Sequence, residues 1–152
     1  VKHLSIGFIF SGVKDIDGID CCVKLQAGEL YYISRGSYQT CSIPIGIYPF
    51  EEVVINYDEG EARELHAIVS EMRDKRKHKL VSSVEVIPHN NNHNIMTMLN
   101  RLRDSTIGKL AGQDYKKFKA NKIKLVRLLL QQSDCDQLIA AIEEANKLVI
   151  MI

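Results

Sequence analysis

The hydrophobic pattern of this chain changes its period at Asp58, and this change strongly constrains the fold. Before Asp58, apolar residues alternate with other residues, as in HLSIGFIF, where Leu4, Ile6 and Phe8 fall on one side of an extended chain. From Ala62 onward, apolar residues recur at intervals of three and four, which is the pattern of an amphipathic helix. Strands followed by helices predict an α+β fold.

Five further segments are predicted to be strands. GIDCCVKL and ELYYIS are separated by QAG, and we expect them to form a hairpin. Pro44 and Pro49 cannot donate hydrogen bonds to a sheet, so YQTCSIPIGIYPF is expected to be an edge strand or an irregular crossing. EEVVINY is apolar enough for a central strand, and LVSSVEVI is a later strand closed by Pro88.

Four helices are predicted in the remainder of the chain. Asp58 is expected to be the N-cap of a helix over residues 58–77, with Glu61 completing a capping box. Asn94 is expected to cap the short helix IMTMLNRLRD, a longer helix covers 114–132, and Ser133 caps a last helix through residue 148. We therefore expect a mostly antiparallel sheet from the N-terminal half, with helices packed on one face and a helical C-terminal third.

Composition indicates one soluble domain over residues 1–152, with 113–152 as a candidate helical subdomain. Of the 152 residues, 45% are hydrophobic and 26% charged, which is ordinary for a globular protein. No apolar run approaches the ~20 residues that span a bilayer, and the first segment resembles a strand more than a signal peptide. Four cysteines without a Cys-x-x-Cys pair indicate reduced, mostly buried thiols in an intracellular, cytoplasmic protein. No motif indicates a cofactor or a structural metal.

Charge is unevenly distributed along the chain. Residues 1–72 contain 5 lysines and arginines against 11 aspartates and glutamates, whereas residues 73–152 contain 15 against 8. The two halves are therefore expected either to attract each other or to present charged surfaces to partners. In the helix over 114–132, most lysines are predicted to lie opposite an apolar face, and Lys122 is the exception. The apolar face is formed by Tyr115, Phe118, Leu125, Val126 and Leu129.

Basic residues in two segments are the candidates for binding an anionic partner. These are Arg73, Lys75, Arg76, Lys77, Lys116, Lys117, Lys119 and Lys124. Nucleic acid, an anionic membrane surface and an acidic protein are all compatible with such a surface. The sequence contains no RNA-recognition motif and no aromatic residues interleaved with the basic ones, which argues against sequence-specific RNA binding.

Three aspartates surround a glycine in GVKDIDGID, and they are candidate metal ligands. Gly18, Ile19 and Asp20 resemble the first element of the PD-(D/E)xK nucleases, a family in which carboxylates on adjacent strands hold a divalent cation. The next predicted strand, YYISRG, lacks the carboxylate and lysine that complete that family's motif. We therefore interpret Asp15, Asp17 and Asp20 as a polar turn whose side chains bind nearby backbone groups.

A second resemblance involves the first histidine. His3 and Ser5 form one copy of the His-x-Ser/Thr motif that occurs twice in 2H phosphoesterases, in which two histidines act as acid and base. No later histidine is followed at the second position by serine or threonine. If the chain is an enzyme, it is expected to process phosphodiesters, with the candidate catalytic residues His3, Asp15, Asp17, Asp20 and Glu29.

The leading hypothesis is a non-catalytic protein-interaction or regulatory module within a larger protein or assembly. It follows from the basic segments and from the incomplete catalytic motifs. The alternatives are a phosphodiester-processing enzyme and a nucleic-acid-binding domain that uses the basic helix face.

Overall fold

The computed structural model of the chain describes residues 1–19, 21–72, 79–107, 112–132 and 134–150. Within these residues the chain forms seven strands and four helices, which confirms the α+β class. The strands are β1 (Leu4–Ser11), β2 (Val13–Asp17), β3 (Cys22–Gln26), β4 (Leu30–Ser34), β5 (Gln39–Ile43), β6 (Glu51–Tyr57) and β7 (Val84–Ile87). The helices are α1 (Glu59–Ser70), α2 (His93–Ile107), α3 (Gly112–Leu130) and α4 (Asp136–Ile150).

The described strands form two antiparallel sheets. The larger sheet has the strand order β6-β1-β4-β7, and the smaller has the order β3-β2-β5. The chain passes from one to the other at Gly12, between β1 and β2, where φ is +95°. A Cβ at this position would lie 2.7 Å from the Ile43 carbonyl oxygen, so the passage requires glycine.

The larger sheet lies between the helices and the smaller sheet. On one face, Leu4, Ile6 and Phe8 of β1 join a buried cluster that contains residues from all four helices. On the opposite face, Ile9 and Tyr31 belong to a second buried cluster, shared with β2 and β3 of the smaller sheet. The predicted alternation along β1 is thus confirmed, and so is the packing of helices on one face of an antiparallel sheet.

The predicted hairpin between GIDCCVKL and ELYYIS is wrong. β3 pairs with β2 in the smaller sheet, whereas β4 pairs with β1 and β7 in the larger one. The short connection between β3 and β4 carries the chain from one sheet to the other. Two backbone hydrogen bonds hold this connection against β1. The Gly28 N–H donates to the Ile9 carbonyl at 2.7 Å, and the Ile9 N–H donates to the Glu29 carbonyl at 3.2 Å.

Two predictions about strand position have different outcomes. β6 was expected to be central, but it is an edge strand of the larger sheet, with Val54 on its exposed side. The hydrophobic residues that suggested a central strand, Val53 and Ile55, contact the helices from one face alone. β5 lies at an edge of the smaller sheet and ends before Pro44, as expected of a segment that proline interrupts.

The start of α1 agrees with the sequence, and the other helix boundaries differ from it. Asp58 caps α1 and forms the complete capping box with Glu61, at 2.8 Å and 3.0 Å. The cap of α2 is Asn92, not Asn94, because the Asn92 Oδ1 accepts from the backbone of residues 94 and 95. Helix α1 ends at Ser70, earlier than predicted, and Ser133 lies outside the described residues.

The four cysteines form no disulfide with one another, but their positions correct the expectation that most are buried. Cys135 is buried and Cys21 half-buried, whereas Cys22 and Cys41 are exposed. Cys22 lies opposite Asp17 and Cys41 opposite Asp15, on the outer face of the smaller sheet. Among the described helices, none is both long and apolar enough to cross a bilayer.

Candidate functional site

Helix α3 presents a basic side to the surface. Lys116, Lys117, Lys119 and Lys124 are exposed, while Leu125 and Val126 are completely buried. None of these four lysines forms an ion pair with another side chain that the structure describes. Tyr115, which was expected on the apolar face, is 49% exposed, and its ring lies 5.2 Å from the Lys119 Nζ.

Arg73, Lys75, Arg76 and Lys77 follow the end of α1 and lie outside the described residues. Described residues of α2 and α3 form a basic surface. We define it as Arg101, Lys116, Lys117, Lys119, Lys124 and Arg127, all of which are exposed.

A groove of about 400 Å³ runs between α2 and α3 within this basic surface. Its cationic side chains are Arg101 from α2 and Lys124 and Arg127 from α3. Met98, which is 6% exposed, and the half-buried Leu128 provide apolar surface in the same groove. None of the residues that line it is acidic or aromatic. The groove therefore combines positive charge with apolar surface, and no acidic residue lines it.

A second, larger groove of about 700 Å³ lies between α1 and α3 and has mixed charge. Asp58, the N-cap of α1, and Glu59 and Glu64 within α1 line this groove. They share it with Lys119, Lys124 and Arg127 of α3. The backbone hydrogen bond from Glu61 lowers the pKa of Asp58, and the nearby charges of Lys119 and Lys122 lower it further. Part of the charge asymmetry between the two halves of the sequence is thus compensated inside the molecule, and Lys119 takes part in this compensation.

One ion pair between these helices is buried. The Lys122 Nζ lies 2.8 Å from the Glu61 Oε1, and the two residues are 7% and 6% exposed. The ammonium group also lies 5.2 Å and 5.7 Å from the ring centroids of Tyr57 and Phe118, as in cation–π contacts. The sequence had indicated that Lys122 lies off the cationic side of α3, but it did not identify Glu61 as the partner.

His3 lies at the start of β1 and lines a cavity of about 480 Å³ together with Glu61 and Lys122. Its Nδ1 atom is buried without a hydrogen-bond partner. None of the other residues that line this cavity is a histidine, so the described residues do not provide the two-histidine arrangement of the 2H phosphoesterases there. The Ser5 hydroxyl of the motif donates to the Asn56 side-chain oxygen.

The aspartates near the N-terminus are arranged differently from the predicted turn. Asp15 and Asp17 lie on strand β2, with Asp15 opposite Lys24, so placing them in a turn is wrong. The turn begins after them, and the Gly18 N–H donates to the Cys21 carbonyl at 2.9 Å. Asp20 lies outside the described residues. Glu29 accepts a hydrogen bond from the Gln26 N–H at 2.7 Å.

The described side chains do not bring these carboxylates together. Within the described ranges, no three histidine, cysteine, aspartate or glutamate residues are grouped closely enough to hold a metal ion. Asp15, Asp17 and Glu29 thus do not form a cation site with described neighbours. Asp20 is not among the described residues.

Comparisons with known proteins give no family assignment. The chain matches no protein-family model, and no curated protein sequence is significantly similar to it.

Proposed function

We propose that the chain is a protein-interaction module, within a larger protein or assembly, that binds an acidic segment of its partner in the groove between α2 and α3. The observation that supports this most directly is the composition of the groove: three exposed cations beside apolar surface, with no acidic lining residue. An amphipathic acidic helix or extended acidic segment has the complementary chemistry, because its apolar side chains can contact Met98 and Leu128 while its carboxylates meet the cations.

An acidic protein segment fits this groove better than nucleic acid does. Single-stranded nucleic acids are usually held by aromatic side chains on which the bases stack, and none of the residues lining the groove is aromatic. A phosphate backbone offers no apolar groups to contact the apolar surface of Met98 and Leu128. The exposed thiols of Cys22 and Cys41 support a reducing, intracellular location for the module, and we propose the cytoplasm.

Charge reversal in the groove tests the proposal. The probe is a fluorescent peptide of about 18 residues with leucines on one helical face and glutamates on the other. We expect fluorescence anisotropy to show saturable binding to the wild-type chain and at least about tenfold weaker binding to R101E/K124E/R127E. The control variant K2E/R35E/K79E changes the net charge equally at exposed residues outside the groove and should bind nearly as well as the wild type.

The same assay separates the alternatives. Equal loss of binding in both variants would show a non-specific charge effect and contradict a defined groove. Tighter binding of a single-stranded oligonucleotide than of the peptide, abolished by R101E/K124E/R127E, would contradict the protein partner and favour nucleic acid.

A further inference from the structure

Strand β5 has one edge with which no described strand pairs. Its other edge pairs with β2, and every residue from 39 to 49 is exposed. An uncovered edge presents backbone N–H and C=O groups that can pair with another extended chain. β5 is therefore a candidate surface for the addition of a strand from a second molecule.

The composition of β5 distinguishes it from the other edge strands that the structure describes. Natural proteins usually protect edge strands with charged residues, because charges oppose pairing with another chain. β3 contains the exposed Lys24, β6 begins with Glu51, and β7 contains Glu85. β5 has the sequence QTCSI, which contains no charged residue and no proline. Its edge thus lacks the protection that the other three have.

The segment that follows β5 adds exposed apolar surface. Ile45 pairs with Tyr48 across a tight turn, and these residues are 56% and 68% exposed. Ile47, within the turn, is 93% exposed. No charged residue occurs between Gln39 and Phe50. Large apolar side chains that face water as a group indicate an interaction surface.

These features favour a second copy of the chain as the partner. A lipid surface does not supply hydrogen-bond partners for the free backbone groups of β5, and the segment from Gln39 to Phe50 offers no cation to anionic headgroups. A strand that carries charged residues would lose part of their hydration against an uncharged edge. A second β5 is equally uncharged and presents the same free edge, so the two edges complement each other.

A two-fold antiparallel arrangement of two β5 strands has a defined register. Two five-residue strands overlap over their whole length only when the middle residue, Cys41, lies opposite its own copy. Gln39 then lies opposite Ile43 of the second copy at each end of the paired strands. Cys41 is exposed, and opposite residues in an antiparallel pair have Cβ atoms about 5 Å apart, so oxidation can join the two thiols.

We propose that two copies of the chain pair through β5 and join their smaller sheets into one six-stranded sheet with the order β3-β2-β5-β5-β2-β3. The turn from Ile45 to Tyr48 then lies at both ends of the paired strands, where the second copy can cover its apolar side chains. No residue of β5 lines the groove between α2 and α3, so the dimer does not depend on the proposed acidic partner.

Oxidative crosslinking through Cys41 tests the register. Diamide oxidises two thiols to a disulfide and takes up the two hydrogen atoms that they release. We expect it to convert most of the variant C21S/C22S to covalent dimers on non-reducing electrophoresis. The matched control C21S/C41S retains Cys22, which is also exposed but lies on β3, and it should stay mostly monomeric. Cys135 is buried and is present in both variants.

Charge substitution tests the pairing without a thiol reaction. Q39K/I43K places like charges opposite each other at both ends of the paired strands, and it should weaken dimerisation about tenfold or more in sedimentation equilibrium. Q39K/I43E changes the same two exposed positions but places opposite charges there. Its dimer affinity should therefore stay close to that of the wild type.

Four results would overturn the assignment. A mass of one chain at millimolar concentration would show that β5 does not pair with its copy. Equal crosslinking of Cys41 and Cys22 would show random collisions. Equal dimer affinities of Q39K/I43K and Q39K/I43E would contradict pairing centred on Cys41. A chain that stays monomeric but sediments with phosphatidylcholine vesicles would assign the apolar turn to a lipid surface instead.

Discussion

At the scale of single residues, the buried pair of Glu61 and Lys122 carries a high cost of desolvation. Both side chains are withdrawn from water, and their 2.8 Å contact offsets a desolvation cost that neither could sustain alone. Removing one partner leaves the other charge buried without compensation, whereas removing both does not.

A double-mutant cycle tests this coupling. We expect Glu61→Gln and Lys122→Met each to lower the free energy of unfolding by about 3–5 kcal/mol, and the double variant to recover most of that loss. Urea denaturation of the four proteins measures the cycle. A double variant as unstable as the sum of the two single variants would show that the residues act independently.

The reactivity of the Cys22 thiol depends mainly on one neighbouring residue, Asp17. A side-chain hydrogen bond to Asp17, together with the charge of that carboxylate, raises the pKa of Cys22. Less thiolate is therefore present at a given pH, and alkylation is slow. Asp17→Asn should lower this pKa and accelerate the reaction of Cys22 with iodoacetamide near pH 8, measured by mass spectrometry in a C21S/C41S background.

The control for this prediction is Asp15→Asn. Asp15 raises the pKa of Cys22 less than Asp17 does, because it acts through its charge alone. A smaller acceleration is therefore expected. If Asp17→Asn leaves the alkylation rate unchanged, the hydrogen bond does not control the thiol.

At the scale of secondary-structure elements, α1 begins with a complete capping box. Asp58 and Glu61 satisfy each other's backbone N–H groups, and the Asp58 carboxylate also lies near Lys119 and Lys122. We expect Asp58→Ala to lower the free energy of unfolding by about 1 kcal/mol at neutral pH.

The pH dependence of that loss has a defined sign. The pKa of Asp58 is lowered in the folded chain, so its ionised form stabilises the fold above the unfolded pKa of about 4, and this stabilisation is lost as the pH falls through the lowered folded value. The difference between wild type and Asp58→Ala in urea denaturation should therefore shrink in acid. A difference that grows below pH ~4 would contradict the direction of the shift.

The elements were largely predictable from the sequence, because hydrophobic period and capping chemistry are local. Most strands and the cap at Asp58 follow from neighbouring residues alone, whereas β2, which contains Asp15 and Asp17, was interpreted as a turn. Strand pairing was harder to predict from the sequence. The residues QAG, which could close a β3–β4 hairpin, instead connect the two sheets. Whether this segment closes a hairpin or connects two sheets depends on which face of each strand is buried by segments distant in the sequence.

The candidate sites show the same limit. The basic side of α3 and the exceptional position of Lys122 could be predicted from helical spacing. The placement of His3 and Glu61 along one cavity depends on the pairing of β1 with β6 and on the packing of α1, and neither can be predicted from the local sequence. Asp15 and Asp17 were misplaced because β2 continues through Asp17 and the turn begins at Gly18, inside the cluster of aspartates.

At the scale of the whole molecule, a polar contact connects the two sheets. Lys14 from the smaller sheet lies 2.7 Å from Glu52 and 3.2 Å from the Tyr31 hydroxyl, both from the larger sheet, and that hydroxyl donates to Glu52 at 2.9 Å. Burial raises the pKa of Tyr31, and the charge of Glu52 raises it further, so the hydroxyl remains a donor.

Loss of this contact should destabilise the molecule. We expect Lys14→Met to lower the free energy of unfolding by about 2 kcal/mol or more, because Glu52 then keeps its charge without a cation in a poorly hydrated position. Lys24→Met, an exposed position on the same sheet, is the control and should change stability by less than about 0.5 kcal/mol. Equal effects of the two substitutions in urea denaturation would show that the contact does not join the sheets.

The central claim is that the groove between α2 and α3 binds an acidic partner through Arg101, Lys124 and Arg127. The most direct test measures the affinity of the wild-type chain and of R101E/K124E/R127E for the acidic amphipathic peptide over a range of salt concentrations. Screening of exposed charges predicts tight wild-type binding at low salt that weakens steeply as the salt concentration rises, and weak binding of the variant throughout. Wild-type affinity that does not depend on salt, or that the variant shares, would contradict the claim.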